Sequence, residues 1–267
     1  MTRKEQSPAQ PSALITGASS GIGAALAEVF ARHGYALVLV ARDEGRLGDL
    51  AARLRAQYRA TVTILAKDLS LEGAPAEVYH KVVSHSIEID VLVNSAGMIV
   101  YGEFCKTDPA LELQMIRVNL MALTQLTRIF LPDMLRRRNG RILNLGSTGS
   151  FVPTPLNAVY SATKAYVLSF SEAIAEELAG TGISVTAPCP GATRSELQSR
   201  AGMEDVRLLQ RGVMDAEAVA AAGYRALMAG RRVEVPGLLN RLRITLGRFL
   251  PRRAVVRFAY AMLRRAH

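Results

Sequence analysis

The segment from Ala13 to Gly34 narrows the folds open to this chain more than any other. Ala13-Leu-Ile-Thr16 has the short apolar run of a buried strand. Gly17-Ala-Ser-Ser-Gly21-Ile-Gly23 follows, and an alanine-rich apolar run to His33, closed by Gly34, predicts a helix. A strand that turns through glycines into a helix is the context in which such glycines carry information. They let the backbone approach a pyrophosphate, and the helix start adds amide donors and a positive dipole end. The spacing is Gly-x-x-x-Gly-x-Gly, different from the commoner Gly-x-Gly-x-x-Gly dinucleotide pattern.

The alternation continues down the chain. Further strands are expected at Tyr35–Ala41, Thr61–Ala66, Asp90–Val93, Arg141–Leu145, Ile183–Ala187 and Val233–Val235. Helices are expected at Glu44–Gln57, Pro75–Ser86, Pro109–Leu131, Asn157–Ala179 and Ala216–Met228. Pro132 is expected to bend or end the third of these. Such alternation gives an α/β fold, a doubly wound parallel sheet covered on both faces. Residues 192–215 break the pattern, and a loop of that length suits a lid or binding segment.

The ends of the strands carry the polar candidates, because ligands of open α/β sheets bind there. Arg42 follows the second strand directly, where an acid would bind a ribose 2′-hydroxyl and an arginine suits a 2′-phosphate. NADP(H) is therefore favoured, and Asp43 keeps NAD(H) open. Asp68 follows the third strand and is equally explicable as a turn residue. Asn94-Ser-Ala-Gly97 follows the fourth, Ser147 the fifth and Pro188-Cys-Pro-Gly191 the sixth. Asn119 falls inside a helix, where asparagine needs a polar network or solvent. Tyr160 and Lys164, four apart, share one helix face, and a fixed ammonium there would lower the phenol pKa.

These motifs occur in the order and spacing of one family. Thr16-Gly17-x-x-x-Gly21-x-Gly23, Asn94-Ser-Ala-Gly97, Asn119, Ser147, Tyr160-x-x-x-Lys164 and Pro190-Gly191 resemble those of the short-chain dehydrogenases/reductases over residues 12–235. The resemblance implies a Rossmann sheet of about seven strands in the order 3-2-1-4-5-6-7 and an NAD(P)-dependent reduction of a carbonyl, or the reverse. It implies Tyr160 as general acid, Lys164 as the cation beside it and on the nicotinamide ribose, and Ser147 as donor to the substrate oxygen. It implies that Asn119 props a water leading protons toward Lys164. Cofactor contacts are implied for Gly17, Ser19, Ser20, Gly21, Ile22, Gly23, Leu69, Asn119, Tyr160 and Lys164. Asp68 matches the adenine contact, and Asn94, Ala96 and Gly97 the segment along the adenosine ribose. Pro190, Gly191 and Thr193 match the stretch beside the carboxamide. Ser95, Gly146 and Ser195 depart from the family pattern, touching loop detail rather than reaction class. A homo-oligomer, dimer or tetramer, is implied as well. The alternatives carried with this reading are an NAD-dependent alcohol dehydrogenase and a non-catalytic dinucleotide sensor.

Charge and composition set the remaining bounds. Of 267 residues, 49% are hydrophobic and 21% charged, enough to bury a core. The net charge of +10 is concentrated: Arg231 to His267 holds ten arginines against Glu234 alone. The rest carries 23 basic and 22 acidic residues, which excludes nucleic-acid binding by the body of the protein. The polar first eleven residues are expected to be loose and the protein cytoplasmic, with Cys105 and Cys189 as reduced thiols. Residues 236–267 form a basic amphipathic tail, in which Leu238, Leu239, Leu242, Leu246, Phe249 and Leu250 recur at helical spacing. Pro251 suits the start of a second helix with Val255, Phe258, Ala259 and Met262 on one side. The apolar stripes can pack on the core or on a second subunit, or lie on a membrane surface.

Overall fold

The computed structural model describes residues 10–210 and 212–266. The first nine residues of the expected loose N-terminus lie outside that range, whereas Gln10 and Pro11 are tied to the body. Gln10 donates to the Gly34 carbonyl at 2.9 Å, and Ala36 N–H donates to the Pro11 carbonyl at 2.8 Å.

Seven parallel strands form the sheet: β1 (Ser12–Thr16), β2 (Ala36–Ala41), β3 (Val62–Ala66), β4 (Val91–Asn94), β5 (Gly140–Asn144), β6 (Ile183–Pro188) and β7 (Val233–Glu234). Their order is β3-β2-β1-β4-β5-β6-β7, as expected. The helices that cover it are α1 (Gly21–Arg32), α2 (Glu44–Tyr58), α3 (Ala74–Ser84), α4 (Pro109–Ile116), α5 (Leu123–Arg137) and α6 (Ala158–Glu177). They continue with α7 (Glu196–Arg200), α8 (Arg207–Gln210), α9 (Ala216–Met228), α10 (Leu238–Gly247) and α11 (Arg252–Leu263).

Alternate residues of the central strands feed two cores. Ala13, Ile15, Leu37 and Leu39 pack with α1 and α2 residues such as Phe30 and Leu54. Leu14, Val38 and Leu92 pack on the opposite face with Val78, Leu126, Phe130 and Met134 from α3 and α5. Burial on both faces explains why the strands read as continuous apolar runs. The strand order reverses between β1 and β4, and the crevice above their carboxyl ends is where α/β proteins bind ligands.

Two local expectations are corrected. Pro132 does not end its helix, because α5 runs through it to Arg137. The carbonyl deprived of a partner belongs to Arg128, an exposed residue, so the loss falls on a face open to solvent. The segment 192–215 is also not a plain loop, since it contains α7 and α8.

Candidate active site

The glycine turn sets the floor of the site. Gly17 has φ +68°, and a Cβ there would come within 2.8 Å of the Ala96 Cα. The β1–α1 turn and the β4 end therefore approach closely because one residue has no side chain. Thr16 fixes the other half of this junction, accepting through Oγ1 from the N–H groups of Ser95 and Ala96, both at 3.0 Å. Ser20 precedes α1 in extended conformation without a side-chain cap, and no acid lies in the first turn. The free amides of that turn thus face the crevice, an arrangement that suits a phosphate. The residues present fit a dinucleotide in this respect.

A cleft of about 400 Å³ opens above this floor. It gathers Gly17, Ser19, Ser20, Gly21, Ile22, Gly23, Arg42, Asp68, Leu69, Ala96 and Gly97 along one stretch, and Ser147, Tyr160, Lys164, Pro190, Gly191 and Thr193 along the other. Asn94 and Asn119 do not line it. Asn94 Nδ2 points into the interior, donating to Asn144 Oδ1 at 2.9 Å and Thr127 Oγ1 at 3.2 Å. Asn119 stands behind the wall, where Oδ1 accepts from Met98 N–H at 2.8 Å. Its Nδ2 donates to the Met98 carbonyl at 3.0 Å and to Thr163 Oγ1 at 3.1 Å. Both amide hydrogens are thereby used, which leaves one Oδ1 lone pair for any water. The residue reaches this wall from a π-helical turn, Arg117–Ala122, inserted between α4 and α5. Its sequence signal was a buried-looking asparagine in a helix; the wide turn had none.

At the adenosine end, Arg42 lies 4.0 Å from Asp68 Oδ2, while Asp68 Oδ1 accepts from Ser70 N–H and Oγ at 2.9 and 2.8 Å. Asp68 is therefore both a turn residue and a cleft residue. Asp43 also lines the cleft, while capping α2 by accepting from Arg46 N–H at 3.0 Å and pairing with that guanidinium. Lys67 also lines the cleft and went unsuspected; Ser195, Gln198 and Arg200 line it from the stretch expected as a lid or binding segment, whose sequence shows no pattern that singles out its inward-facing residues.

At the other end, Ser147 starts a short turn and accepts through Oγ from Gly149 N–H at 3.1 Å. Tyr160 and Lys164 project from α6 toward it. Lys164 is buried, donates through Nζ to the Leu145 carbonyl at 2.7 Å, and lies 5.9 Å from the Tyr160 ring centre. Burial lowers its pKa to about 8. Burial also dominates at Tyr160, raising its pKa to about 12 against the lowering effect of a hydrogen bond with Ser147. This corrects the expectation that the lysine depresses the phenol: at the lysine's distance, loss of solvation wins. Neutral Tyr160 is in the form that gives a proton. The departure at Gly146 has a steric cause, since a Cβ there would meet Cys189 Sγ at 2.6 Å. The Cys189 thiol is itself pushed up to about 11 by burial and stays protonated. Cys105 and Cys189 are both free, as expected. Among the described residues no group of His, Cys, Asp and Glu is placed to hold a metal ion.

Comparison with known proteins agrees with this geometry. The family model for short chain dehydrogenases matches residues 11–205. An uncharacterized oxidoreductase of Staphylococcus saprophyticus is 34% identical over 223 residues, covering 84% of this chain and 93% of its own. Very-long-chain 3-oxoacyl-CoA reductase-B of Danio rerio is 36% identical over 67% of this chain and 58% of its own. A solved short-chain dehydrogenase from Sphingobium yanoikuyae, in complex with NADPH, superposes with a TM-score of 0.80 at 37% identity, covering 90% of this chain and 96% of its own. With the crevice, the paired Ser147 and Tyr160 and the sheet order all in place, this chain belongs to the short-chain dehydrogenases/reductases and is an NAD(P)-dependent oxidoreductase.

Proposed function

We propose that the protein reduces a lipophilic carbonyl compound, such as a ketone, 3-oxoacyl or steroid-like substrate, to an alcohol with NADPH. The observation that carries this reading is the gathering of Ser147, Tyr160 and buried Lys164 at one end of a glycine-floored cleft. The nicotinamide cofactor supplies the hydride when bound. Ser147 donates to the substrate oxygen as it gains negative charge, and Tyr160 passes its proton to that oxygen. Lys164 positions the ribose hydroxyls and shields the phenolate left behind, while Asn119 holds the wall around it. The first α1 turn would take the pyrophosphate, Asp68 the adenine edge, and Thr193 with Pro190–Gly191 the carboxamide side. The test is oxidation of NADPH and NADH against carbonyls graded in size and polarity; turnover of none of them overturns the reading.

NADPH is preferred over NADH in this reading because Arg42 is exposed in the cleft, while Asp43 beside it is already paired with Arg46. Arg42→Ala should weaken NADPH binding by about tenfold to a hundredfold, one charge-assisted contact, and leave NADH within about threefold. Titration of cofactor fluorescence measures both; equal losses would remove Arg42 from the 2′-phosphate. The Lys164 ammonium is present below pH 8 and neutral above it. NADPH affinity should thus be flat at lower pH and fall as pH rises through about 8, and Lys164→Arg should move that fall to higher pH. The reading extends to a homo-oligomer and to peripheral contact of the basic tail with a membrane. Support for the latter is that α10 has no buried residue and that Leu238 and Phe249 are each 82% exposed.

A further inference from the structure

The tail helices carry apolar side chains that the other described residues do not cover. Leu238, Leu242, Leu246 and Phe249 recur along one side of α10 and just beyond it, all exposed, with Leu239 and Leu250 beside them. Phe258 extends the patch onto α11 at 62% exposure. An apolar surface of this kind on a folded protein marks an interaction site. From Leu238 onward the sequence holds eight arginines and no acid. Arg243, Arg248, Arg252, Arg253, Arg257 and Arg264 are exposed and form no ion pair among the described residues. The body is nearly neutral, so this is a local field rather than a property of the whole protein.

Charge decides the occupant. A second copy meeting this face by two-fold symmetry would set the arginines against their own duplicates with no acid between them. A nucleic acid would satisfy the arginines and leave the leucines and phenylalanines in water. An anionic bilayer satisfies both, with headgroup phosphates for the arginines and the acyl boundary for the apolar row. Among the described residues no helix is long and apolar enough to cross a membrane, so the geometry is that of helices lying in the interface plane.

The same two helices hold the segment 192–215. At its base, Asn240 of α10 abuts Gly191, whose added Cβ would lie 2.7 Å from Asn240 Nδ2, and Nδ2 also reaches Met214 Sδ at 3.5 Å. At its tip, Leu263 of α11 is buried with Met203 and Val206. Tyr101 donates to the Leu263 carbonyl at 2.5 Å, Ala266 N–H to the Asp205 carbonyl at 2.8 Å, and Arg265 pairs with Asp205 at 3.2 Å. Between these fixings, the part 195–200 lines the cleft. We infer that α10 and α11 dock on anionic membranes and that docking sets the position of the 192–215 segment, opening the site to substrate from the bilayer. This rests on the reading of the protein as a reductase of lipophilic carbonyls.

The experiment uses the full chain with phosphatidylcholine vesicles, with and without a third of phosphatidylglycerol. The parent should co-sediment with the anionic vesicles at low salt and be released by high salt, and stay in solution with the neutral ones. Leu242→Glu with Phe249→Glu should weaken that binding by about tenfold or more. Hydrogen exchange over residues 201–209 should change on vesicle addition in the parent. Tyr101→Phe with Asp205→Asn should still sediment but lose that response, as should the fall in KM for a long-chain ketone that vesicles bring. A parent that stays soluble with anionic vesicles, or that binds them with unchanged exchange at 201–209, overturns the inference. If no carbonyl is turned over, the reductase reading falls while sedimentation and exchange still decide the docking.

Discussion

Tyr160→Phe should lower kcat by about three orders of magnitude while leaving the NADPH dissociation constant within about threefold, the loss expected of one general acid. The phenyl ring preserves the packing on Gly149, whose added Cβ would lie 3.9 Å from Tyr160 Cε1, so the fold is retained. Only the hydroxyl, the proposed proton donor, is removed. Single-turnover kinetics with a small water-soluble ketone would separate the chemical step from binding. Turnover equal to the parent would take Tyr160 out of the mechanism and favour a dinucleotide sensor on the same fold.

Asn119→Leu should cost about 3 kcal/mol of stability, a large effect for one nearly isosteric change. Asn119 is 1% exposed, and its amide is the partner of both the N–H and the carbonyl of Met98. Leucine fills the volume and takes away the partner of both backbone groups of half-buried Met98, at a cost of about 1–3 kcal/mol for each that water does not reach. Thr163 suffers less, because its hydroxyl also donates to the Tyr160 carbonyl at 2.7 Å. Urea denaturation would show the midpoint falling with an unchanged slope. A loss under about 1 kcal/mol would mean that Met98 finds another partner and that the wall beside Lys164 is not held by Asn119.

What could be read in the sequence followed local chemistry. Strands such as Leu37–Ala41, buried on both faces, announce themselves as apolar runs, and the sheet order followed from the family motifs. Gly17, Ser147, Tyr160 and Lys164 were legible because their chemistry is tied to spacing along one element. Arg200 and Gln198 were not, because what places them in the cleft is the path of a segment without periodicity. The direction of the Tyr160 shift escaped for a related reason: helical spacing gives a neighbour, whereas solvation depends on every element around the group. Pro132 misled because local propensity yields when the freed carbonyl can reach water. The apolar face of α10 had three readings in the sequence, core, second subunit or membrane surface, and only the three-dimensional packing shows that the described residues leave it uncovered.

The π-helical turn at Arg117–Ala122 fixes something that neither burial nor hydrogen bonding alone would fix. A wide turn holds one residue more than its neighbours, so it advances the angular phase of everything after it relative to everything before. Met115, ahead of the turn, and Leu126, Phe130 and Met134, beyond it, are all buried, so the extra residue is absorbed without turning either stretch away from the core. Asn119 sits at the crest of the correction. The count of residues between Met115 and Leu126 is thus itself part of the site: dropping the extra one would restore a regular helix with α4 and α5 still seated, and what would be lost is the local displacement from which Asn119 reaches Met98.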